Sequence, residues 1–515
     1  MESTSESSAG AGGASRLFTD FLYDFEKVRA YYRFSGLKSV SYRESAAAIQ
    51  CADEHRRRLV EALREQNGEC PALDLLARPG TCVVATGQQV GLFSGPAYTI
   101  YKALTAARLA RDLTQQGAPA VPVFWLATED HDLEEVDHCW VFGQDHQPLR
   151  IEAACEGAPG QPVGGVTITG NPVERLREAL EGLPFAAEVL ELTGAAYGSG
   201  RTLGSAFSRL LRGLLGAYGL IHLDPLRPAI RELAAPMLAQ AAARAPELVN
   251  LLLERNRELE SAGYHAQVRV EPSSSLLFTL EGGRRTPLRL KDGGGPAAGQ
   301  PALLSPNALL RPVVQDYLLP TVAVVMGPAE VAYMAQAEVL YRSLLGRQPV
   351  VVSRASFTLA DARSAKLMER YRFSLSDLAA GEEELRSRIA GCLVPGGLKR
   401  SLEEAAADTA DRLERLRAEI AGFDPSLAEA AGRSRRKILY QMSKLERKVA
   451  REALRRDERA GREAAGLYGL LYPRRQPQER IYSILPFLAK HGMGLIETVY
   501  ENLRWDKPGH HVLVV

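Results

Sequence analysis

Three stretches of this chain concentrate side chains able to do chemistry. The densest is Glu129-Asp-His-Asp-Leu-Glu-Glu-Val-Asp-His138, where six acids and two histidines occupy ten residues. So many like charges at close range resist full ionisation, which raises some carboxyl pKa values unless a cation or donor neutralises them. Glu129, Asp130 and Asp132 therefore suit general acid–base work or capture of a substrate ammonium, and His131 suits proton transfer near neutral pH. On a continuous helix His131, Glu135 and His138 would share a face, which invites a metal. Helical continuity is not assured there, and no metal is assigned. A solvated acidic loop is the competing reading.

The second stretch is Thr86-Gly-Gln-Gln-Val-Gly-Leu-Phe-Ser-Gly-Pro-Ala-Tyr98. Gly87, Gly91 and Gly95 permit close backbone approach to a ligand. A helix opening near Pro96 would aim free N–H groups and partial positive charge at it, as suits a phosphate. Gln88, Gln89 and Ser94 add neutral donors and acceptors, while Tyr98 and Lys102, one helical turn apart, put a cation within reach of an anionic group. The loop is neither a Walker A motif nor G-x-G-x-x-G. A structural turn competes with a ligand site here, and the two adjacent glutamines favour the ligand site. In the third stretch Asn307, Arg311 and Gln315 recur at helical spacing, although Pro312 interrupts an ideal helix, and Glu330 and Tyr333 open the helix after Gly327-Pro328. Arg311 either clamps a carboxylate or phosphate or pairs with Asp316 or Glu330, and both readings stay open.

The first two stretches follow short apolar runs, VPVFWLAT at 121–128 and TCVVAT at 81–86, and the third flanks another, TVAVVM at 321–326, with GLIHLD at 219–224 and PVVVS at 349–353 of the same kind. Continuous apolar runs alternating with helical segments predict an α/β protein with a doubly wound parallel sheet, whose ligands bind beyond the strands' carboxyl ends. Segments near 141–170 and 262–302 break this rhythm and predict small antiparallel insertions, with 293–301 (GGGPAAGQP) a flexible loop. The predicted division is a disordered tail over 1–15, a core over 16–374, a helical segment over 375–466, and a segment over 467–515 that packs back on the core.

The helical segment carries heptads. Leu402, Ala406, Thr409, Leu413, Leu416 and Ile420 repeat at 4-3 spacing, as do Ile438, Met442, Leu445 and Val449, predicting an antiparallel coiled-coil hairpin that turns around Gly422–Pro425. Residues 401–424 hold seven acids and three arginines, whereas 433–456 hold ten basic residues and two acids. These faces attract each other within the hairpin or across a dimer. A nucleic-acid grip by the basic helix is the disfavoured alternative, because no aromatic platform is interleaved.

Composition agrees with an ordinary globular protein. Of 515 residues 46% are hydrophobic, and 63 Lys+Arg balance 62 Asp+Glu, which excludes disordered and collagenous classes and removes whole-chain polyanion binding as a starting assumption. The six cysteines form no C-x-x-C pair, no apolar run approaches the roughly 18 residues of a membrane span, and the N-terminus lacks a signal peptide's basic and apolar regions. A reducing cytoplasm is the expected location.

With these motifs in hand, TGQQVGLFSGPAYTIYKALTAARLA, PVFWLATEDHDLEEVDH and SPNALLRPVVQDYLLPTVAVVMGPAEVAYMAQ together resemble the bacillithiol biosynthesis cysteine-adding enzyme family, a family of cysteine ligases. The resemblance covers nearly the whole chain after about residue 15 and implies a Rossmann-like core with two inserted connecting segments. It also implies a coiled coil that serves homodimerisation, and a reaction joining cysteine to the glucosamine amine of glucosaminyl malate, the last step of bacillithiol synthesis. On that reading Glu129, Asp130 or Asp132 binds the cysteine ammonium or deprotonates the amine, with His131 as proton shuttle. Arg311 and Lys102 receive the malate carboxylates, and Gln88, Gln89, Ser94, Tyr98, Asn307, Glu330 and Tyr333 complete the substrate site. Making an amide from a carboxylate calls for activation, so ATP or another nucleotide is expected, held at Gly87, Gly91 and Gly95 or, alternatively, near Arg504 and Trp505. A nucleotide-independent amide hydrolase or transferase and a non-catalytic nucleic-acid-binding scaffold are the competing functions.

Overall fold

The computed structural model describes residues 4–6, 15–290 and 300–515. Most of the expected tail and of the 293–301 loop thus lies outside the described residues, while Thr4–Glu6, within that tail, pairs antiparallel with His510–Val514 near the C-terminus. The described chain forms two compact units, one comprising residues up to Leu359 together with Pro477–Val515, the other Ala360–Gln476.

The first unit is built on five parallel strands: β1 (Cys82–Gln88), β2 (Ala120–Leu126), β3 (Ile221–Leu223), β4 (Thr321–Met326) and β5 (Val350–Ser353). Their order across the sheet is β5-β4-β1-β2-β3. Read from β3, this is the 3-2-1-4-5 order of a Rossmann sheet, with its topological switch between β1 and β4. Each predicted apolar run supplies one strand. Helices on both faces bury them, which is why the runs are continuous rather than alternating. At the switch Thr86 Oγ1 donates to Val325 O at 2.9 Å, tying β1 to β4 just where the helices diverge. Gly87 stands opposite Trp125 in the register, and a Cβ there would meet Trp125 O at 2.8 Å, so glycine is what lets β1 and β2 close up at their carboxyl ends.

The predicted insertions are present and antiparallel. His138–Phe142 pairs with Pro148–Glu152, and Cys155–Glu156 with Thr167–Ile168. Ser274–Glu281 is the centre of a three-stranded sheet between Arg284–Arg289 and Leu304–Pro306. The expected helix face at His131, Glu135 and His138 does not form. Leu133–Glu135 is a single 3-10 turn, and His138 already begins a strand.

The second unit holds the hairpin, α-helices Gly396–Phe423 and Pro425–Arg456, and it is wider than the predicted 375–466. The break falls at Asp424, whose side chain caps the second helix by accepting from Ser426 N at 2.8 Å, with Pro425 placed where a missing N–H costs nothing. Arg435 lies 3.4 Å from Glu414 across the pair, as the opposite charges predict. Yet Leu416, Ile438 and Leu445 remain 49%, 41% and 48% exposed, so the two-helix seam does not consume them.

His222 lies in the middle of β3 with its imidazole buried, Nδ1 sharing a 2.8 Å hydrogen bond with Ser208 Oγ. Burial, helped by Arg212, pushes its pKa down to about 3. The unfolded chain therefore binds a proton that the folded chain refuses, so stability falls as pH drops below the ordinary histidine value of about 6.5. Urea unfolding should show a loss of about 2 kcal/mol between pH 8 and pH 5 that His222→Gln removes.

Candidate active site

The carboxyl ends of β1, β2 and β4 open into one cavity of about 640 Å³ at the switch point. Gly87, Gln88 and Gln89 come to it from β1, Glu129, Asp130 and His131 from β2, and Glu330 and Tyr333 from the helix Pro328–Leu344 that follows β4. Tyr98 and Lys102 reach it from the helix Tyr98–Gln115, and Asn307 and Arg311 from the segment before β4. Twelve of the eighteen positions expected to do chemistry are thus brought together.

Charge pairing organises the walls. Lys102 is buried, and its Nζ contacts Glu330, Gln88 Oε1 at 2.8 Å and Gly87 O at 3.1 Å. Burial holds its pKa below the usual lysine range even against the pull of Glu330. Gln88 Nε2 donates in turn to the Tyr98 hydroxyl at 3.3 Å. On the opposite wall Glu129 is buried against Arg231 at 2.8 Å, and burial raises its carboxyl above the usual range, only partly offset by Arg231 and Arg285. Asp130 accepts from Gln89 Nε2 at 2.9 Å and from the His131 amide at 2.8 Å. Arg285 Nη1 donates to His131 Nδ1 at 3.2 Å. An arginine only donates, so Nδ1 must accept and the imidazole proton sits on Nε2. His131 is therefore arranged to donate a hydrogen bond from Nε2, which differs from the proton shuttle expected of it.

Arg311 rests on neutral partners, Tyr333 Oη at 3.1 Å and Gln315 Oε1 at 3.3 Å. Burial alone would lower its pKa, but Tyr333 and Glu330 outweigh it and keep the guanidinium charged. Neither expected carboxylate partner pairs with it. Asp316 is buried against the Tyr341 hydroxyl, and Glu330 takes Lys102. Among the described residues Arg311 and Arg480 are the cavity arginines without an ion pair.

Six expected positions fall elsewhere. Gly91, Ser94 and Gly95 form a buried turn that does not line the cavity. Phe93 and Ser94 both take positive φ there, 53° and 71°, conformations costly to side-chain-bearing residues. The turn is held by Phe93 N donating to Tyr197 Oη at 2.9 Å, Ser483 Oγ donating to Phe93 O at 2.9 Å and Leu92 N donating to Val136 O at 2.8 Å. The expected phosphate-facing amides are also spent. Ala97 N donates to Tyr482 O at 2.7 Å and Thr99 N to Pro96 O at 2.9 Å, with the helix opening at Tyr98 rather than Pro96. Beyond Gln89 the loop is a turn packed away from the cavity. Asp132 is exposed and outside the cavity. Arg504 pairs with Asp506 at 3.0 Å, and Trp505 Nε1 donates to Asp112 at 2.9 Å, near the far end of the helix whose start lines the cavity, so neither lines it. Among the described residues no group of three or more His, Cys, Asp or Glu is placed to hold a metal ion.

Three cavity arginines were not anticipated. Arg354 follows directly on β5, so the strand-end rule that found Glu129 would have found it too. Arg285 sits in an inserted hairpin and Arg480 far along the chain, and no local pattern marks either. Arg354 lies over the Tyr98 ring, 5.2 Å from its centroid, and is gripped by Glu479 at 2.7 and 2.9 Å. Both charges are buried. Burial alone would raise the Glu479 carboxyl, but Arg354 and the hydrogen bond from Ser356 outweigh it and hold it below the usual range.

This strand order, cavity position and charge pairing define a Rossmann-like α/β protein with a charge-lined cavity at its switch point. The match extends to named families. The N-terminal Rossmann-like domain model of bacillithiol biosynthesis BshC matches residues 3–295 and 296–355, and the C-terminal coiled-coil domain model of BshC matches 357–515. Proteins named "Putative cysteine ligase BshC" are similar along their lengths: 51% identical in Solibacter usitatus, with 97% of both chains covered, and 36% identical in Koribacter versatilis, again with 97% of both. A third, from Salinibacter ruber, is 31% identical over 98% of this chain and 97% of its own. The chain belongs to the bacillithiol biosynthesis BshC family. Among the described residues no helix is long and apolar enough to cross a membrane.

Removing one partner of the buried Arg354–Glu479 pair leaves an uncompensated charge. Glu479→Ala should cost about 3–5 kcal/mol in denaturant unfolding, and the double change Arg354→Met with Glu479→Leu should recover much of that loss.

Proposed function

We propose that the cavity is the site of a cytoplasmic cysteine ligase that forms an amide between the cysteine carboxylate and the glucosamine amine of glucosaminyl malate. The observation that carries this reading is the cavity's charge inventory. Lys102, Arg354 and Arg285 are engaged by carboxylates or by His131, which leaves Arg311 and Arg480 as cations for an incoming polycarboxylate. Guanidinium binds carboxylates in bidentate fashion, and a malate group carries two. Arg480 thus takes over the part expected of Lys102, whose charge Glu330 already meets.

Glu129 is the group we assign to the amine. Its raised carboxyl pKa suits it to take the proton that the amine must lose on becoming a nucleophile. His131 Nε2–H and Gln88 would orient the reacting carboxyl group. Carboxylate activation would come from a nucleotide. Of the positions expected to hold one, Gly87 alone lines the cavity, and the groups there that fit a phosphate are again the two unpaired arginines.

Purified protein with cysteine and glucosaminyl malate should yield product only when ATP is added. Product without nucleotide would remove the activation step, and no product in either case would remove the ligase reading. Mass spectrometry of the spent nucleotide then distinguishes AMP, from adenylation, from ADP, from phosphorylation. Arg311→Ala should lower kcat/KM by roughly a hundredfold or more while leaving thermal stability near that of the parent.

The hairpin is proposed to carry a homodimer contact through Leu416, Ile438 and Leu445, the heptad residues left half-exposed. Leu416→Glu with Leu445→Glu should halve the mass seen by light scattering while helicity by circular dichroism is kept. An unchanged mass would exclude that face.

A further inference from the structure

The carboxyl end of β2 borders two hollows, not one. Trp125, Ala127 and Glu129 face the reaction cavity, while Leu126, pointing the other way, lines a separate hollow of about 300 Å³. Among the described residues none lines both. The second hollow lies beside β3 and the start of the helix Leu203–Leu215, and four arginines line it: Arg201, Arg209, Arg212 and Arg227. Among the described residues its sole carboxylate is Asp224, which lies 3.8 Å from Arg227 and already accepts from Thr128 Oγ1 and, at 3.0 Å, from Leu226 N.

That inventory is unbalanced. Among the described residues Arg201 and Arg209 make no ion pair and no side-chain hydrogen bond, and Arg212 donates only to the backbone carbonyl of Gln66. Arg209, Arg212 and Arg227 are exposed and Arg201 is half-buried, so the four guanidinium groups stand open to an anion from solution. Two further donors or acceptors are left over in the same wall. Among the described residues buried His222 has no partner at Nε2, its Nδ1 being taken by Ser208, and Gln66 has none at Nε2, its Oε1 accepting from Asp224 N at 2.7 Å. A buried polar atom without a partner is costly and is the mark of a missing ligand or water. The reaction cavity, by contrast, balances most of its charges internally.

We propose that this hollow is a second binding site, for a compact polyanion carrying two or more phosphate or carboxylate groups. Guanidinium forks match either group, and the volume is at the small end of ligand sites, enough for a molecule the size of pyrophosphate or a tricarboxylate. The inference stands on these residues alone and does not require the ligase reading. Occupancy would also be felt across the strand, since Asp224, which an anion would displace or repel, is bonded to Thr128, the residue before Glu129.

Calorimetric titration of the full chain with sodium pyrophosphate and, separately, with citrate tests this. Three proteins are compared: the parent, the double variant Arg201→Gln with Arg209→Gln, and Arg311→Gln in the reaction cavity. Arg201 and Arg209 hold no other group in place, so the double variant should unfold at the parent's temperature. At least one probe should bind saturably in Arg311→Gln, where the reaction cavity has lost a cation, and that binding component should be weakened about tenfold or more in the double variant. A preference for pyrophosphate assigns a phosphate ligand, and a preference for citrate assigns a carboxylate one. Equal affinity in the parent and the double variant, loss of all binding in Arg311→Gln, or no saturable binding of either probe at millimolar concentration would overturn the proposal.

Discussion

Everything chemical in this protein depends on the parting of two neighbouring strands, Cys82–Gln88 and Thr321–Met326. They run parallel and are hydrogen-bonded, but the helices that follow them, Tyr98–Gln115 and Pro328–Leu344, leave on opposite faces of the sheet. Right-handed crossovers leave no other arrangement, and the crevice this creates is where side chains from both helices and both strand ends can meet without filling the space. Thr86, bonded to Val325 O, holds the parting in place just below the cavity.

A crevice cut into an apolar sheet is a poor solvent for charge, and the walls show how that is managed. Lys102 with Glu330, Glu129 with Arg231 and Arg354 with Glu479 each match a buried charge with its opposite. Such pairs add little net stability over apolar residues of the same shape, so their retention is better explained by what they position: Gln88 and Tyr98 on one wall, Asp130 and His131 on the other. The arginines left over in the two hollows contrast with this economy. Arg209, Arg212, Arg227 and Arg480 are exposed, so water can solvate charges that the buried walls must pair.

The glycine loop shows how a motif can be informative for the wrong reason. Its glycines looked like a cradle for phosphate. In the fold Gly87 is required by the close approach of Trp125, while Gly91 and Gly95 serve a turn in which Phe93 and Ser94 are held at positive φ by Tyr197, Ser483 and Val136. The partners of that turn lie from about 40 to 390 residues away, so nothing within the loop could distinguish the two uses.

The sequence by itself determined the five buried strands, the break of the helical hairpin at Asp424–Pro425, the antiparallel insertions and most of the residues at the strand ends. These are local outcomes: continuous apolar runs need two covered faces, heptads need a partner stripe, and a strand end delivers whatever follows it to the same edge of the sheet. Only tertiary structure decided which charges neutralise which. Arg231 against Glu129, Arg285 against His131 and Glu479 against Arg354 all join segments remote in the chain. Ion pairing is set by distance and burial in space, and neither is written in the spacing of residues along a sequence.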